Sequence, residues 1–249
     1  MKKIFIDGSA GTTGLRIRER LAQRQDIELI TLSEENRKDT EKRREALNRA
    51  DIAFLCLPDA AAREAVALVD NPNTAIIDTS TAHRTDPLWA YGFPELAGLR
   101  DKIALSKRIA NPGCHASGFV ALINPLVKAG IIDKNAKLTC FSITGYSGGG
   151  KKMIAEYEDE ERPITFTSPR QYALGQEHKH LKEMAIISGI DTPPVFSPIV
   201  ADFYSGMQVS IGLHSSEISG TLDDVKRGYT EAYSGPVVKY CDAPDTDGF

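Results

Sequence analysis

The sequence predicts an α/β fold: a doubly wound parallel sheet followed by an α+β domain with a mixed or antiparallel sheet. Three observations carry this. Short apolar runs alternate with helix-like segments through the first half, as in a parallel sheet with helices on both faces. A glycine-rich turn directly follows the first of those runs. The second half changes style, with longer alternating runs and turn residues between them.

Taken in order, Lys3 to Ile6 is an apolar strand, Thr13 to Gln23 a helix and Glu28 to Leu32 a strand. Asp39 to Arg49 is a charged helix, Ile52 to Leu57 a buried strand, Ala60 to Val69 an Ala-rich helix and Ala75 to Asp78 a short strand. An apolar-periodic segment, Phe119 to Leu126, follows a Pro-Gly turn. Beyond it, Lys137 to Thr144 alternates as a strand, while Lys151 to Glu160 and Glu177 to Ser188 read as helices. Val195 to Ala201 and Gln208 to His214 are strand-like and close enough, across Gly206, to pair antiparallel. Thr221 to Tyr233 is a helix with Thr221 as N-cap and acidic residues in its first turn. Val237 to Tyr240 reads as a final strand, and Asp242 to Phe249 as a loop. The expected division is residues 1–114 for a nucleotide domain and 115–249 for a catalytic and oligomerisation domain.

Composition narrows the function. In 249 residues, 30 Lys and Arg against 34 Asp and Glu give a net charge of −4, which argues against a basic nucleic-acid face. No apolar run reaches the length of a membrane span, and Met1-Lys2-Lys3 leads straight into a strand rather than a signal segment. The four cysteines, 56, 114, 140 and 241, are widely spaced, which fits free thiols in a reducing cytoplasm.

Four motifs carry chemistry. Gly8-Ser9-Ala10-Gly11-Thr12-Thr13-Gly14 follows the first strand, where glycines permit a tight turn and let backbone N–H groups approach a pyrophosphate at a helix N-terminus. The nucleotide-binding residues read from it are Gly8, Ser9, Gly11, Thr12, Thr13 and Gly14, so the first sheet is Rossmann-like. At the end of the second strand, Ser33 with Arg37 or Lys38 suits a 2′-phosphate, whereas Glu34 and Glu35 suit a free ribose; the reading taken is NADP. Asn111-Pro112-Gly113-Cys114 places a thiol at the start of a helix, where unpaired N–H groups and the helix dipole favour a thiolate. His178 and His180 supply imidazoles able to move protons near neutral pH; no neighbouring Cys or Asp completes a metal site around them. Ser80-Thr81-Ala82-His83-Arg84 and Gly145-Tyr146-Ser147-Gly148-Gly149-Gly150-Lys151 both follow strands and offer N–H groups for an anion. Ser147 and Gly148 are assigned to the cofactor, and Arg84, Arg108 and Lys151 to phosphate or substrate.

With these residues in view, the chain resembles the N-acetyl-γ-glutamyl-phosphate reductase family, in its shorter, type 2 branch. The resemblance is carried by the glycine-rich turn, Ser80-Thr81-Ala82-His83-Arg84, Ile109-Ala110-Asn111-Pro112-Gly113-Cys114, Gly145 to Lys151 and His178-Lys179-His180. It implies NADPH-dependent reduction of N-acetyl-glutamyl 5-phosphate to the semialdehyde through a Cys114 thioester, a step of arginine biosynthesis. It assigns the acid/base to the His178/His180 pair, with His178 preferred, and adds Tyr172 to the substrate site. It also implies a small-molecule acyl-phosphate substrate, and the mixed sheet of the second half suits a homodimer or homotetramer. Family members run on into a helix that returns to the nucleotide domain, and the expectation is that this chain lacks it. The competing readings are an aspartate-semialdehyde dehydrogenase-like reductase, an NADP-sensing regulator without chemistry, and a Cys-His hydrolase.

Overall fold

In the computed structural model, residues 1–9 and 11–242 are described. The first half is built from β1 (Lys2–Asp7), α1 (Thr12–Ala22), β2 (Ile27–Ile30), α2 (Thr40–Arg49), β3 (Ile52–Leu55), α3 (Asp59–Ala67), β4 (Ala75–Asp78), β5 (Ala90–Tyr91), α4 (Leu99–Leu105) and β6 (Arg108–Ala110). Its six strands lie in the order β2-β1-β3-β4-β6-β5, every pairing parallel. Phe5, Leu47, Leu55, Ala62 and Ile76 form its core, which is why these strands read as nearly continuous apolar runs.

The second half contains α5 (Cys114–Lys128), β7 (Thr139–Gly145), α6 (Gly150–Glu158), β8 (Arg170–Gln171), α7 (His180–Ser188), β9 (Val195–Ala201), β10 (Met207–Ser210) and α8 (Leu222–Ala232). Its sheet runs β10-β7-β9-β8, with β7 and β9 parallel and both edge strands antiparallel. One face packs on α5 and α7 through Phe119, Ile123, Met184, Cys140 and Phe196.

Three expectations need correction. The strands after Val195 do not pair with each other, because β7 lies between them. Residues 202–206 cross the end of β7 instead, where Gly145, Tyr146 and Ser147 donate backbone N–H groups to the carbonyls of Gly206, Phe203 and Tyr204. A Cβ on Gly145 would collide with the carbonyls of Phe203 and Tyr204, so the crossing needs glycine there. The helix expected from Glu177 begins only at His180. Gln176 sits at φ 56°, outside helical space, and its amide is committed to both backbone groups of Phe196 at 2.8 Å. Val237 to Tyr240 forms no strand; Lys239 makes an isolated bridge with Ser234, and Val237 is exposed. The last residues of the expected terminal loop, 243–249, lie outside the described residues. No described helix is long and apolar enough to cross a membrane.

Candidate active site

The glycine-rich turn is shaped by close backbone approach. Gly8 adopts φ 84° beneath the Cys56 carbonyl, where any side chain would clash, and a Cβ on Gly14 would strike the Gly8 carbonyl. Gly11 caps α1, and a Cβ on it would meet nothing nearer than the Gly8 carbonyl at 3.4 Å. The open side over Gly11 belongs to a groove of about 1040 Å³ lined by Gly8, Ser9, Gly11, Ser33, Arg37 and Lys38. Thr13 is exposed in the first turn of α1, and Thr12 opens that helix; Ala10 lies outside the described residues. At the far end of the groove Arg43 pairs with the buried Asp7 at 2.8 Å, and Arg37 pairs with Glu34. These features fit a dinucleotide: a pyrophosphate cradle that added side chains would fill, and a ribose pocket lined mainly by cations.

The loop 111–113 carries the chain from β6 into α5, and Cys114 is the first helical residue. It is reachable from solvent, yet enough protein surrounds the sulfur that burial pushes the thiol up. The backbone N–H groups of His115 and Cys114 and the Arg84 guanidinium pull the other way without prevailing. The expected thiolate thus meets an opposing effect: desolvation raises the thiol above its ordinary value and outweighs the helix N-terminus.

Around it stand three histidines. His180, at the start of α7, is buried, and its Nδ1 has no partner among the described residues. A Cβ on Gly113 would collide with both His180 Nε2 and Arg84 Nη1, so glycine before the cysteine is what lets these groups close on the loop. Burial, with neighbouring cationic groups, drives His180 down to about 2. His178 lies one position before the helix cap; its Nδ1 accepts from the His180 N–H at 3.2 Å, and burial lowers its pKa. His115, which follows the cysteine, packs between His178, His180 and Phe196, with ring centroids 5.3 to 5.9 Å away. Tyr172 Oη lies 2.8 Å from His115 Nε2, which brings it beside these histidines.

Sequence reasoning missed Glu183 and Tyr91. The Glu183 carboxylate is buried and accepts from the Gly113 N–H at 2.7 Å, Tyr91 Oη at 2.9 Å and Arg84 Nη1 at 3.1 Å. Arg84 also donates to the carbonyls of Asn111 (2.9 Å) and Thr79 (2.9 Å). It stands beside Cys114 as a fixed cation, committed to protein partners in its own right. The spacing of Glu183 from His180, three residues on one helix face, was the available signal. His83 is absorbed elsewhere: its Nδ1 lies 2.6 Å from Asp78 and its ring stacks on Trp89.

Arg108 is not brought to the site. It stands at the amino end of β6, donating to the carbonyls of Thr74 and Lys107, whereas the cysteine loop leaves the carboxyl end. Lys151 is exposed in the first turn of α6, which packs against α1. Ser147 and Gly148 lie in the 3-10 turn Tyr146–Gly149 just before it. Among the described residues no cluster of three or more His, Cys, Asp or Glu is placed to hold a metal.

A nucleotide groove on a parallel sheet, with a thiol at a helix start ringed by neutral imidazoles, defines a dehydrogenase of the thiol-dependent aldehyde class. The comparisons agree. The sequence model of the semialdehyde dehydrogenase NAD-binding domain matches residues 3–106, and that of the semialdehyde dehydrogenase dimerisation domain matches 114–247. An N-acetyl-gamma-glutamyl-phosphate reductase from Rhizobium etli is 45% identical over 238 residues, covering 94% of this chain and 77% of that protein. One from Brucella ovis is 47% identical over the same shares. Among solved structures, aspartate semialdehyde dehydrogenase II from Vibrio cholerae superposes with a TM-score of 0.65 at 17% identity, over 93% of this chain and 79% of that one. Aspartate semialdehyde dehydrogenase from Candida albicans, solved with NADP, gives 0.59 at 15% identity, over 93% and 76%. The chain belongs to the semialdehyde dehydrogenase family, in its N-acetyl-γ-glutamyl-phosphate reductase branch.

Proposed function

We propose that this protein reduces N-acetyl-L-glutamyl 5-phosphate to the 5-semialdehyde, releasing phosphate, as its relatives' names state. The observation that carries the reading is Cys114 at the head of α5, beside His180 and Arg84, in a chain 45–47% identical to those reductases. The likeness to aspartate semialdehyde dehydrogenases, at 12–17% identity, speaks to fold alone. A hydrolase would leave the nucleotide groove without a role, and a regulator would need no thiol there.

Cys114 is the nucleophile. His180 takes its proton as the sulfur attacks the acyl carbon, the phosphate leaves, and a thioester forms. We assign this task to His180 rather than His178 because it presses on Gly113, the residue before the cysteine, whereas His178 Nδ1 is occupied by the His180 N–H. At rest His180 is a neutral imidazole, and burial makes it a weak base until charge develops on the sulfur. A thiolate forming beside the imidazolium then supplies the counter-charge that burial denies it. Arg84 holds positive charge at the loop where negative charge develops. Lys151, exposed and without a hydrogen-bond partner among the described residues, is our candidate for the departing phosphate. When bound, the nicotinamide supplies hydride to the thioester carbon. We assign NADP(H): Ser33, Arg37 and Lys38 line the ribose end, and Glu34 is neutralised by Arg37. Gly8, Ser9, Gly11, Thr12, Thr13 and Gly14 would hold the pyrophosphate, with Ser147 and Gly148 over it.

The sheet face away from α5 and α7 exposes Phe141 and Val195, with Ile143 and Ile199 half-buried beside them. In a segment matching a dimerisation domain, we read it as the contact with a second copy of the chain.

Cys114→Ser tests the scheme. Turnover should fall at least about 10⁴-fold with NADPH affinity unchanged, and His180→Asn should cost more than His178→Asn. A serine variant that keeps wild-type turnover would remove the covalent step.

A further inference from the structure

His115 has no role in the scheme above, yet it is among the most constrained side chains of the site. It is 2% exposed, and both ring nitrogens are engaged: Nδ1 with Ser142 Oγ at 2.7 Å and Nε2 with Tyr172 Oη at 2.8 Å. Burial pushes its pKa down to about 4, so it works as a neutral ring with one N–H and one acceptor.

The tautomer follows from Ser142. Its side chain lies on the inner face of β7 and is fully buried, and among the described residues its hydroxyl has a single partner, His115 Nδ1. A buried hydroxyl must place its proton, and the acceptor within reach is that nitrogen. His115 then carries its proton on Nε2 and donates it to the Tyr172 oxygen. The Tyr172 proton is left without a protein acceptor among the described residues. The hydroxyl is close enough to Cys114 for a thiolate there to raise its pKa, which burial already lifts, to about 12.

The backbone fixes the same group from the other side. Tyr172 N–H donates to the Pro198 carbonyl at 3.1 Å. The turn from Tyr172 to His178 holds Ala173 at φ 53° and Gln176 at φ 56°, two non-glycine residues in left-handed space. Gln176 is clamped on Phe196, whose ring packs on both His115 and His178. Strain of this kind persists where surrounding contacts over-determine a geometry.

We propose that Ser142 and His115 are positioning residues that lock the Tyr172 hydroxyl as a hydrogen-bond donor to the substrate's acyl oxygen at Cys114. This rests on the thioester reading above. No proton is transferred along the chain; Tyr172 stabilises the oxyanion formed when sulfur attacks and again when hydride arrives.

Two measurements on the full chain test it. In ¹⁵N-histidine NMR, with the His115 signals assigned by their loss in His115→Gln, Nδ1 should be unprotonated and Nε2 protonated, and Ser142→Ala should mix the two tautomers. A protonated Nδ1 in the wild type overturns the proposal whether or not the enzyme turns over. In kinetics with N-acetylglutamate semialdehyde, phosphate and NADP, Tyr172→Phe should lower kcat about 100-fold. Ser142→Ala should lower it about tenfold, with KM for NADP unchanged. In the Tyr172→Phe background Ser142→Ala should cost nothing further. Multiplicative losses, or Ser142→Ala at wild-type kcat, overturn it. A wild type with the predicted tautomer but no turnover would count against the thioester reading, and the donor role of Tyr172 would fall with it.

Discussion

Acid should weaken this fold through two imidazoles. His115 and His180 are held neutral, at about 4 and about 2, whereas an unfolded histidine takes up a proton near 6.5. Below that value the unfolded state binds more protons, so stability is full above about pH 6.5 and falls as pH drops toward the native values. Each group contributes a slope of roughly 1 kcal/mol per pH unit there. Urea denaturation between pH 7 and 5 should show it, and the slope should be shallower in His115→Gln; an equal slope in that variant would contradict the assignment. At this scale the sequence showed which residue types gather: Cys114, His178, His180, Arg84 and Tyr172 all lie at the site. It could not show that burial opposes the thiolate at Cys114, because burial is a property of the packed chain. Arg108 failed because sequence proximity to Cys114 ignores the length of β6, which puts the two at opposite ends of a strand.

Helix α7 and the cysteine loop are joined by one carboxylate. Glu183 accepts from Gly113, Tyr91 and Arg84, elements separated by up to 99 positions in the chain. Removing it leaves a buried guanidinium without its counter-charge, so Glu183→Ala should cost about 3 kcal/mol or more of stability. It should also reduce turnover, since the loop before Cys114 loses its tether. Urea denaturation measures the first, and a loss below about 1 kcal/mol would show that the carboxylate carries little of the joint. Elements with strong local signals were legible: Asp39 caps α2 by accepting from Lys42 N–H at 2.9 Å, and Thr221 closes a capping box with Asp224 on α8. Strand order in the second sheet was not. Whether β9 turns back on β10 or both flank β7 depends on the glycine crossing at Gly145, a contact between segments some sixty residues apart.

For the molecule as a whole, alternation in β7 and β9 showed one buried face, and the structure leaves the other uncovered around Phe141 and Val195. Val195→Lys should shift the protein toward monomer in sedimentation equilibrium while leaving thermal unfolding of the monomer nearly unchanged; an unaltered assembly would place the contact elsewhere. The parallel sheet, the groove at its carboxyl edge and the thiol helix together make the central claim chemical: an acyl group passes between phosphate and Cys114. The direct measurement is reduction of NADP by N-acetylglutamate semialdehyde, followed at the nicotinamide absorbance with and without inorganic phosphate. Reduction that requires phosphate, and disappears in Cys114→Ser, is the predicted result. Reduction at the same rate without phosphate, or none with it, would contradict the account.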